Sequence, residues 1–309
     1  MAAPKAQAES GDDFRIFDRM LLRKRRDRAA GGFAAFDFLV AHVADGLADR
    51  LKDVNRRFSL ALDLGAHSGG LAGHIADMVD RPVVRTDLSA RFLREQPGPC
   101  VAADEEVLPF RDAAFDLIVS CLSLHWVNDL PGALVQARRA LKPDGLFLAA
   151  MLGGQTLREL RDSLAAAEAE VTGGLSPRVS PFADVRDVGD LMARAGFAMP
   201  VGDSEVLTVT YENMFRLMRD LRGMGETNTI LKRRKVPPPR SLFLRAAQIY
   251  AERHGGPDGR IPATFEVVYL TGWAPAPDQP KPKRPGSATH RLADALGAKE
   301  HQVKGTKGN

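Results

Sequence analysis

The sequence predicts an α/β fold: a mostly parallel sheet with helices on both faces, an antiparallel strand added late, and a helical lid inserted near the end. Three observations predict it. From residue 59 to about 150, short apolar runs alternate with helix-length amphipathic stretches, the rhythm of parallel strands buried on both faces. The first run, Leu60-Ala61-Leu62-Asp63-Leu64, closes on a turn of small residues from Gly65 to Gly69. Acidic residues, Asp87 and Asp104, end the second and third runs, and ligands of open α/β sheets bind beyond strand carboxyl ends.

Taken in order, residues 14–30 set Phe14, Ile16, Phe17, Met20, Leu21 and Leu22 among Arg and Lys, an amphipathic helix that Gly31-Gly32 ends. A second helix is predicted over 35–51, with Phe36, Leu39, Val40, Val43 and Leu47 on one face. Strands follow at 60–64, 83–86, 100–103, 115–120 and 145–150, with helices at 69–79, 89–95 and 129–141 between them. After residue 151 the rhythm changes. A long helix over 154–171 leads into a Gly/Pro/Ser loop at 172–183, then a helix over 185–195 stopped by Gly196. The runs 206–210 and 265–270 read as late strands that extend the sheet antiparallel. Between them, helices at 212–222 and 240–253 flank Gly223-Met224-Gly225-Glu226-Thr227-Asn228, a basic run and Pro237-Pro238-Pro239. The organisation is thus a helical segment at 1–55, a core domain at 56–274 with its lid at about 211–260, and a proline-rich, polar tail at 275–309 that is mostly disordered.

A length of 309 residues suits one such domain of roughly 200 residues with additions. No run of about 18 apolar residues is present, which excludes a helix spanning a bilayer. The formal charge is only +4, concentrated in Arg23–Arg26, Lys232–Lys235 and Lys281–Arg284. Such clusters meet phosphates or an acidic partner; the last, among prolines, reads as solvated surface, and no nucleic-acid partner is expected. Cys100 and Cys121 form no CxxC unit, and no His-x-Asp pair with a distant His stands out, so no metal site is expected. Cysteine usage points to a reducing, cytoplasmic compartment.

The turn at 63–69 needs small residues because the backbone must approach a ligand. Asp87 follows it by about 20 residues, where such folds set a carboxylate on ribose hydroxyls; its alternative role is to cap the next helix. Residues 61–150 resemble class I S-adenosylmethionine-dependent methyltransferases of the UbiE/BioC-like group. The resemblance rests on Leu62-Asp63-Leu64-Gly65, Asp87-Leu88-Ser89, Ala103 to Phe110, Phe115 to Ser120 and Leu141-Lys142-Pro143-Asp144-Gly145. It implies S-adenosylmethionine as cofactor, with Asp63 and Gly65 under its methionine part, Asp87 on its ribose, and Asp104 and Glu105 by its adenine. Ala66, Gly69, Leu88 and Ser120 complete the implied cofactor-binding set. One position departs from the pattern: His67 stands where the family's turn carries glycine. A left-handed backbone there would cost about 1–2 kcal/mol.

A narrower resemblance covers most of the chain. Ile16-Phe17-Asp18-Arg19, Ser123 to Pro131, Ser176 to Phe182, Gly223 to Asn228 and Gly286-Ser287-Ala288-Thr289 are similar to the family of complex I assembly factors that hydroxylate an arginine. The resemblance implies a protein substrate, a peripheral-arm subunit of NADH dehydrogenase. The catalytic candidates are His125, either a general base near neutral pH or a hydrogen-bonded wall residue, and Glu226, which with Asn228 would either take a guanidinium or form an ordinary cap at a helix terminus. Two other readings stay open at this level: a conventional methyltransferase, such as malonyl-carrier-protein O-methyltransferase of biotin synthesis, and a non-catalytic assembly chaperone. Oligomeric state is not legible.

Overall fold

The computed structural model describes residues 15–94, 96–279 and 297, so Phe14 and the Gly286–Thr289 motif lie outside the described residues. Residues 1–275 form one unit; in the second unit, 276–309, the Gln279 N–H closes a turn on the Ala276 carbonyl.

Seven strands make one sheet: β1 (Ala61–Leu64), β2 (Val84–Asp87), β3 (Cys100–Ala102), β4 (Phe115–Cys121), β5 (Leu141–Leu152), β6 (Ala198–Tyr211) and β7 (Ile261–Trp273). Their spatial order is β3-β2-β1-β4-β5-β7-β6. The first five are parallel; β7 runs antiparallel to β5, and β6 antiparallel to β7. Strand order reverses between β1 and β4, which opens a crevice beyond their carboxyl ends.

Nine α-helices are described: α1 (Arg19–Ala29), α2 (Phe38–Lys52), α3 (Gly70–His74), α4 (Ala90–Leu93), α5 (Leu130–Ala140), α6 (Arg158–Thr172), α7 (Val185–Arg194), α8 (Met214–Gly223) and α9 (Arg240–His254). The Asp18 carboxylate accepts the Leu21 N–H and so starts α1 later than residue 14. The helix predicted over 69–79 breaks into α3 and a 3-10 turn at Ala76–Met78. Two apolar clusters carry most of the core. One joins α2, α3, α6, α8 and α9 to Leu117, Val119, Leu148 and Val267; the other joins α5 and α7 to Leu62, Ile118, Phe147 and Leu270. Alternate strand residues thus face the two helical layers, and each fully buried Leu or Phe contributes about 1.5–3 kcal/mol.

The antiparallel addition is longer than its apolar stretch suggests. β6 pairs with β7 from Ala198 to Tyr211, although Gly202-Asp203-Ser204-Glu205 is polar. It is an edge strand with mostly exposed side chains, and edge strands tolerate polar residues that a central strand would not. α8 and α9 connect β6 to β7, and α9 packs on α6. Among the described residues no single helix is long and apolar enough to cross a membrane.

Candidate active site

The crevice beyond β1, β2 and β4 gathers the acids that the sequence singled out. Asp63 is fully buried, and neither carboxylate oxygen has a partner of hydrogen-bond geometry. Burial pushes its carboxyl up to about 7, with a further push from Asp87, against the pull of the Arg85 guanidinium and of the Ala72 N–H, which lies near it outside strict hydrogen-bond geometry. The chain then turns at Gly65 (φ +74°), where a Cβ would lie 2.2 Å from the Ser123 side chain. Only glycine fits there. Ala66 donates its N–H to the Thr86 carbonyl, and Gly69 (φ +77°) precedes α3.

His67 takes the left-handed backbone, φ +45°, a conformation in which His is more frequent than most residues. Its N–H reaches Asp87 Oδ2 at 3.1 Å, and its ring stacks on Phe33 and meets the edge of Phe92. Nε2 lies 3.2 Å from the Leu122 carbonyl, an acceptor, so this nitrogen carries the proton. Burial, aided by Arg26, holds the imidazole below its usual range and keeps it neutral. His67 is therefore a wall built from aromatic packing.

The other acids are paired. Asp87 Oδ1 accepts the Ser89 N–H at 2.7 Å, and Oδ2 accepts Arg26 Nη1 at 3.3 Å. Arg26 Nη1 also donates to Glu105 Oε1 at 3.3 Å, and Nη2 donates to Ser123 Oγ at 3.1 Å. Arg19 Nη2 donates to Asp104 Oδ1 at 2.6 Å and also to Glu105 Oε2. Against the cost of burial, these two guanidiniums and the Ser123 hydroxyl hold the Glu105 carboxyl down at about 2. Leu88 packs beside Phe17, Leu22 and Trp126. Ser120 donates its hydroxyl to the Leu64 carbonyl at 2.7 Å, inside the sheet.

His125 and Trp126 follow β4 on a 3-10 turn, Leu124–Trp126. Both hold Glu226, which arrives from the loop after α8: His125 Nε2 lies 3.1 Å from Glu226 Oε2, and Trp126 Nε1 donates to the same oxygen at 2.8 Å. Burial pushes the Glu226 carboxyl up, but His125, Arg26 and the Trp126 N–H outweigh it and keep it below the usual range. Glu226 is thus ionised at neutral pH. Gly223 sets this loop close to the body, since a Cβ there would lie 2.2 Å from the Phe36 ring. Asn228 is engaged otherwise than by Glu226: its amide donates to the Pro177 carbonyl and accepts the Ile230 N–H.

Glu226, Trp126 and Asn228 border a cavity of about 220 Å³ walled by Leu157 and by apolar residues of α6, α8 and α9, Leu160 and Leu164 among them. Arg178 also borders it and forms a two-pronged pair with Glu168, at 2.6 and 2.8 Å. Among the described residues no group of three His, Cys, Asp or Glu could hold a metal ion.

Sequence reasoning missed Arg19, Arg26, Ser123 and the anchoring role of Trp126. Arg19 and Arg26 are seven residues apart on a predicted helix, hence on one face; that spacing was the available signal.

The chain matches the methyltransferase domain model over residues 62–149. It is 45% identical over 286 residues to the arginine-hydroxylase NDUFAF5, mitochondrial, of Danio rerio, covering 90% of this chain and 89% of that protein. The Homo sapiens protein of the same name is 46% identical over 281 residues, covering 89% and 81%. The malonyl-[acyl-carrier protein] O-methyltransferase of Halorhodospira halophila is 39% identical over 274 residues, covering 84% and 90%. Among solved structures, the YcgJ protein of Bacillus subtilis shares the fold, with a TM-score of 0.54 at 16% identity over 76% of this chain and 99% of that one.

Sheet order, glycine turn and acid-lined crevice define an enzyme of the class I methyltransferase superfamily, whose cofactor is S-adenosylmethionine. The donor set suits that cofactor: the unpartnered Asp63 carboxylate sits under the turn, and Asp87 and Glu105 lie at successive strand ends. Within this class, the chain belongs to the family of the arginine-hydroxylase NDUFAF5 proteins, to which the malonyl-[acyl-carrier protein] O-methyltransferases are related.

Proposed function

We propose that this protein hydroxylates an arginine side chain of a protein partner, a peripheral-arm subunit of NADH dehydrogenase, with dioxygen as the oxidant: one oxygen atom enters the arginine and the other leaves as water, on two electrons from an external reductant. The observation that carries the reading is Glu226, an ionised carboxylate fixed by His125 and Trp126 at the edge of an apolar cavity. An arginine needs both parts. Its methylene stem packs on apolar walls such as Leu157, Leu160 and Leu164, while its guanidinium, always cationic, seeks a carboxylate. Both internal donors engage Oε2 of Glu226, so Oε1 is the oxygen offered to the incoming guanidinium. The names of the relatives at 45% and 46% identity support the same reaction.

Asp63, Asp87, Asp104 and Glu105, with the turn from Gly65 to Gly69, would hold S-adenosylmethionine, which supplies a sulfonium-bound methyl group when bound. Ala66 and Leu88 border the same crevice. Asp63 would take the cofactor's ammonium. His125 orients Glu226 and, through it, the arginine. The α8–α9 segment, about 211–260, acts as the lid of this cavity. A cytoplasmic site of action goes with this reading, in keeping with the free thiols of Cys100 and Cys121.

The test is mass spectrometry of the NADH dehydrogenase peripheral arm from wild-type and deletion cells. The reading requires one arginine to carry an added oxygen in wild type and to lack it in the deletion strain. An added methyl group would favour the methyltransferase reading, and no difference would leave the chaperone reading.

A further inference from the structure

The cofactor crevice contains side chains that belong to none of its strands. α1 lays Arg26 between Asp87 and Glu105, and Arg19 between Glu105 and Asp104. Arg26 is only 1% exposed, so its guanidinium fills the space that ribose and methionine would need. The void next to His67, Leu122 and Glu226 holds about 10 Å³, against several hundred for a ligand of the cofactor's size. At the rim of the crevice, Arg19, Leu88 and Asp104 border a depression of about 360 Å³.

We propose that α1 is a plug for the cofactor crevice, displaced when S-adenosylmethionine enters, and that its displacement shifts the loop carrying Glu226. The proposal rests on the cofactor assignment and not on the identity of the substrate.

Charge makes the exchange reversible. Asp87 and Glu105 are buried and need a cation nearby; an unpaired buried carboxylate is strongly unfavourable. Arg26 supplies that cation in the plugged state. S-adenosylmethionine brings a sulfonium and an ammonium against one carboxylate, a net positive charge that replaces the guanidinium. Neither state leaves the crevice without a cation.

The attachment of α1 is mainly ionic. Of its residues only Leu22, Arg26 and Ala29 are buried, and the helix is followed by Gly31-Gly32, where Gly32 has open space around it. Asp27 also accepts the Ser89 hydroxyl at 2.6 Å, Arg19 donates to the Trp126 carbonyl at 3.2 Å, and a further set of contacts falls on the loop after α8. The Asp18 N–H donates to the Thr229 carbonyl at 2.8 Å, the Leu231 N–H to the Ile16 carbonyl at 2.8 Å, and Arg25 Nη1 to the Asn228 carbonyl. Arg233 completes the strap through Asp18, at 3.4 Å. A helix that leaves the crevice therefore pulls on residues 228–233, two positions from the carboxylate that would take the arginine.

The test pairs calorimetric titration of S-adenosylmethionine with hydrogen exchange read by mass spectrometry on the full chain. A plug taxes affinity by the fraction of molecules that are closed. Arg26→Met, which keeps an apolar stem and loses the charge, should bind the cofactor at least about tenfold more tightly than wild type. Saturating cofactor should also lower exchange protection in residues 19–29 and 228–231 of the wild-type protein. Equal or weaker binding by Arg26→Met overturns the proposal, as does unchanged or higher protection of α1. Absence of binding by both proteins overturns it too, since the acids would then not be the cofactor's. Should Arg26→Met fail to fold, the wild-type exchange experiment decides alone. A partner arginine found unmodified would sink the hydroxylation reading and leave this one standing.

Discussion

Asp63→Asn should stabilise the cofactor-free protein and weaken its hold on the cofactor. Asp63 is wholly buried with both oxygens unpartnered, and its carboxyl is raised from 3.8 to about 7. A raised acid leaves stability untouched below its unfolded value, where both states are protonated. As pH climbs from about 4 to 7 the unfolded chain ionises first, and stability is lost. At about 1.4 kcal/mol per pH unit, the full penalty is on the order of 4 kcal/mol by pH 8. Asparagine cannot ionise and escapes it. Urea unfolding of wild type and Asp63→Asn at pH 4 and pH 8 reads the effect directly. The difference between the two proteins should grow in favour of the variant by several kcal/mol between those pH values, while the variant's cofactor affinity falls about 10- to 100-fold with loss of a charge-assisted bond. Wild-type affinity should rise with pH through about 7 as Asp63 ionises. A variant advantage that is the same at both pH values would refute the reasoning, because the gain would then owe nothing to ionisation.

Other outcomes follow from the same geometry. Glu105, held at about 2, contributes stability that is complete above its ordinary 4.5 and lost as pH falls toward 2. That amounts to about 3 kcal/mol, so Glu105→Gln should flatten the acid limb of a urea-midpoint profile between pH 5 and 2. His67→Gly relieves a left-handed backbone, about 1 kcal/mol, but removes a ring that stacks on Phe33 and meets Phe92 edge-on. Cavity formation outweighs the relief, and calorimetry should show Tm lowered by about 5 °C or more. Leu160→Trp fills the apolar cavity; partner modification measured by mass spectrometry should stop, while cofactor affinity measured by calorimetry stays at the wild-type value.

The parallel half of the fold was legible because its signals are local. Leu60–Leu64 and Phe115–Ser120 are apolar runs of strand length, and the turn after Leu64 announces itself by its small residues. β6 was legible only at its apolar end, since Gly202 to Glu205 owe their strand conformation to β7 and not to their own propensity. The acids of the crevice could be named because they end strands. Their partners could not, because Arg19 and Arg26 reach them across 61 to 86 residues of chain. His125 and Glu226 were both singled out, but their 3.1 Å contact joins residues 101 apart in sequence, which no local pattern encodes. Asn228 illustrates the converse. It looked like a second guanidinium ligand, and the structure commits its amide to Pro177 and Ile230.

The central claim is that Glu226 receives the arginine. The direct measurement is the fraction of the peripheral-arm arginine carrying an added oxygen in deletion cells that express either wild-type protein or Glu226→Gln at equal abundance. Gln keeps the shape and the Trp126 hydrogen bond but loses the charge, worth about 1.5–3 kcal/mol toward a guanidinium. The account predicts that wild type restores the modification and that Glu226→Gln restores little or none. Full restoration by Glu226→Gln would contradict it.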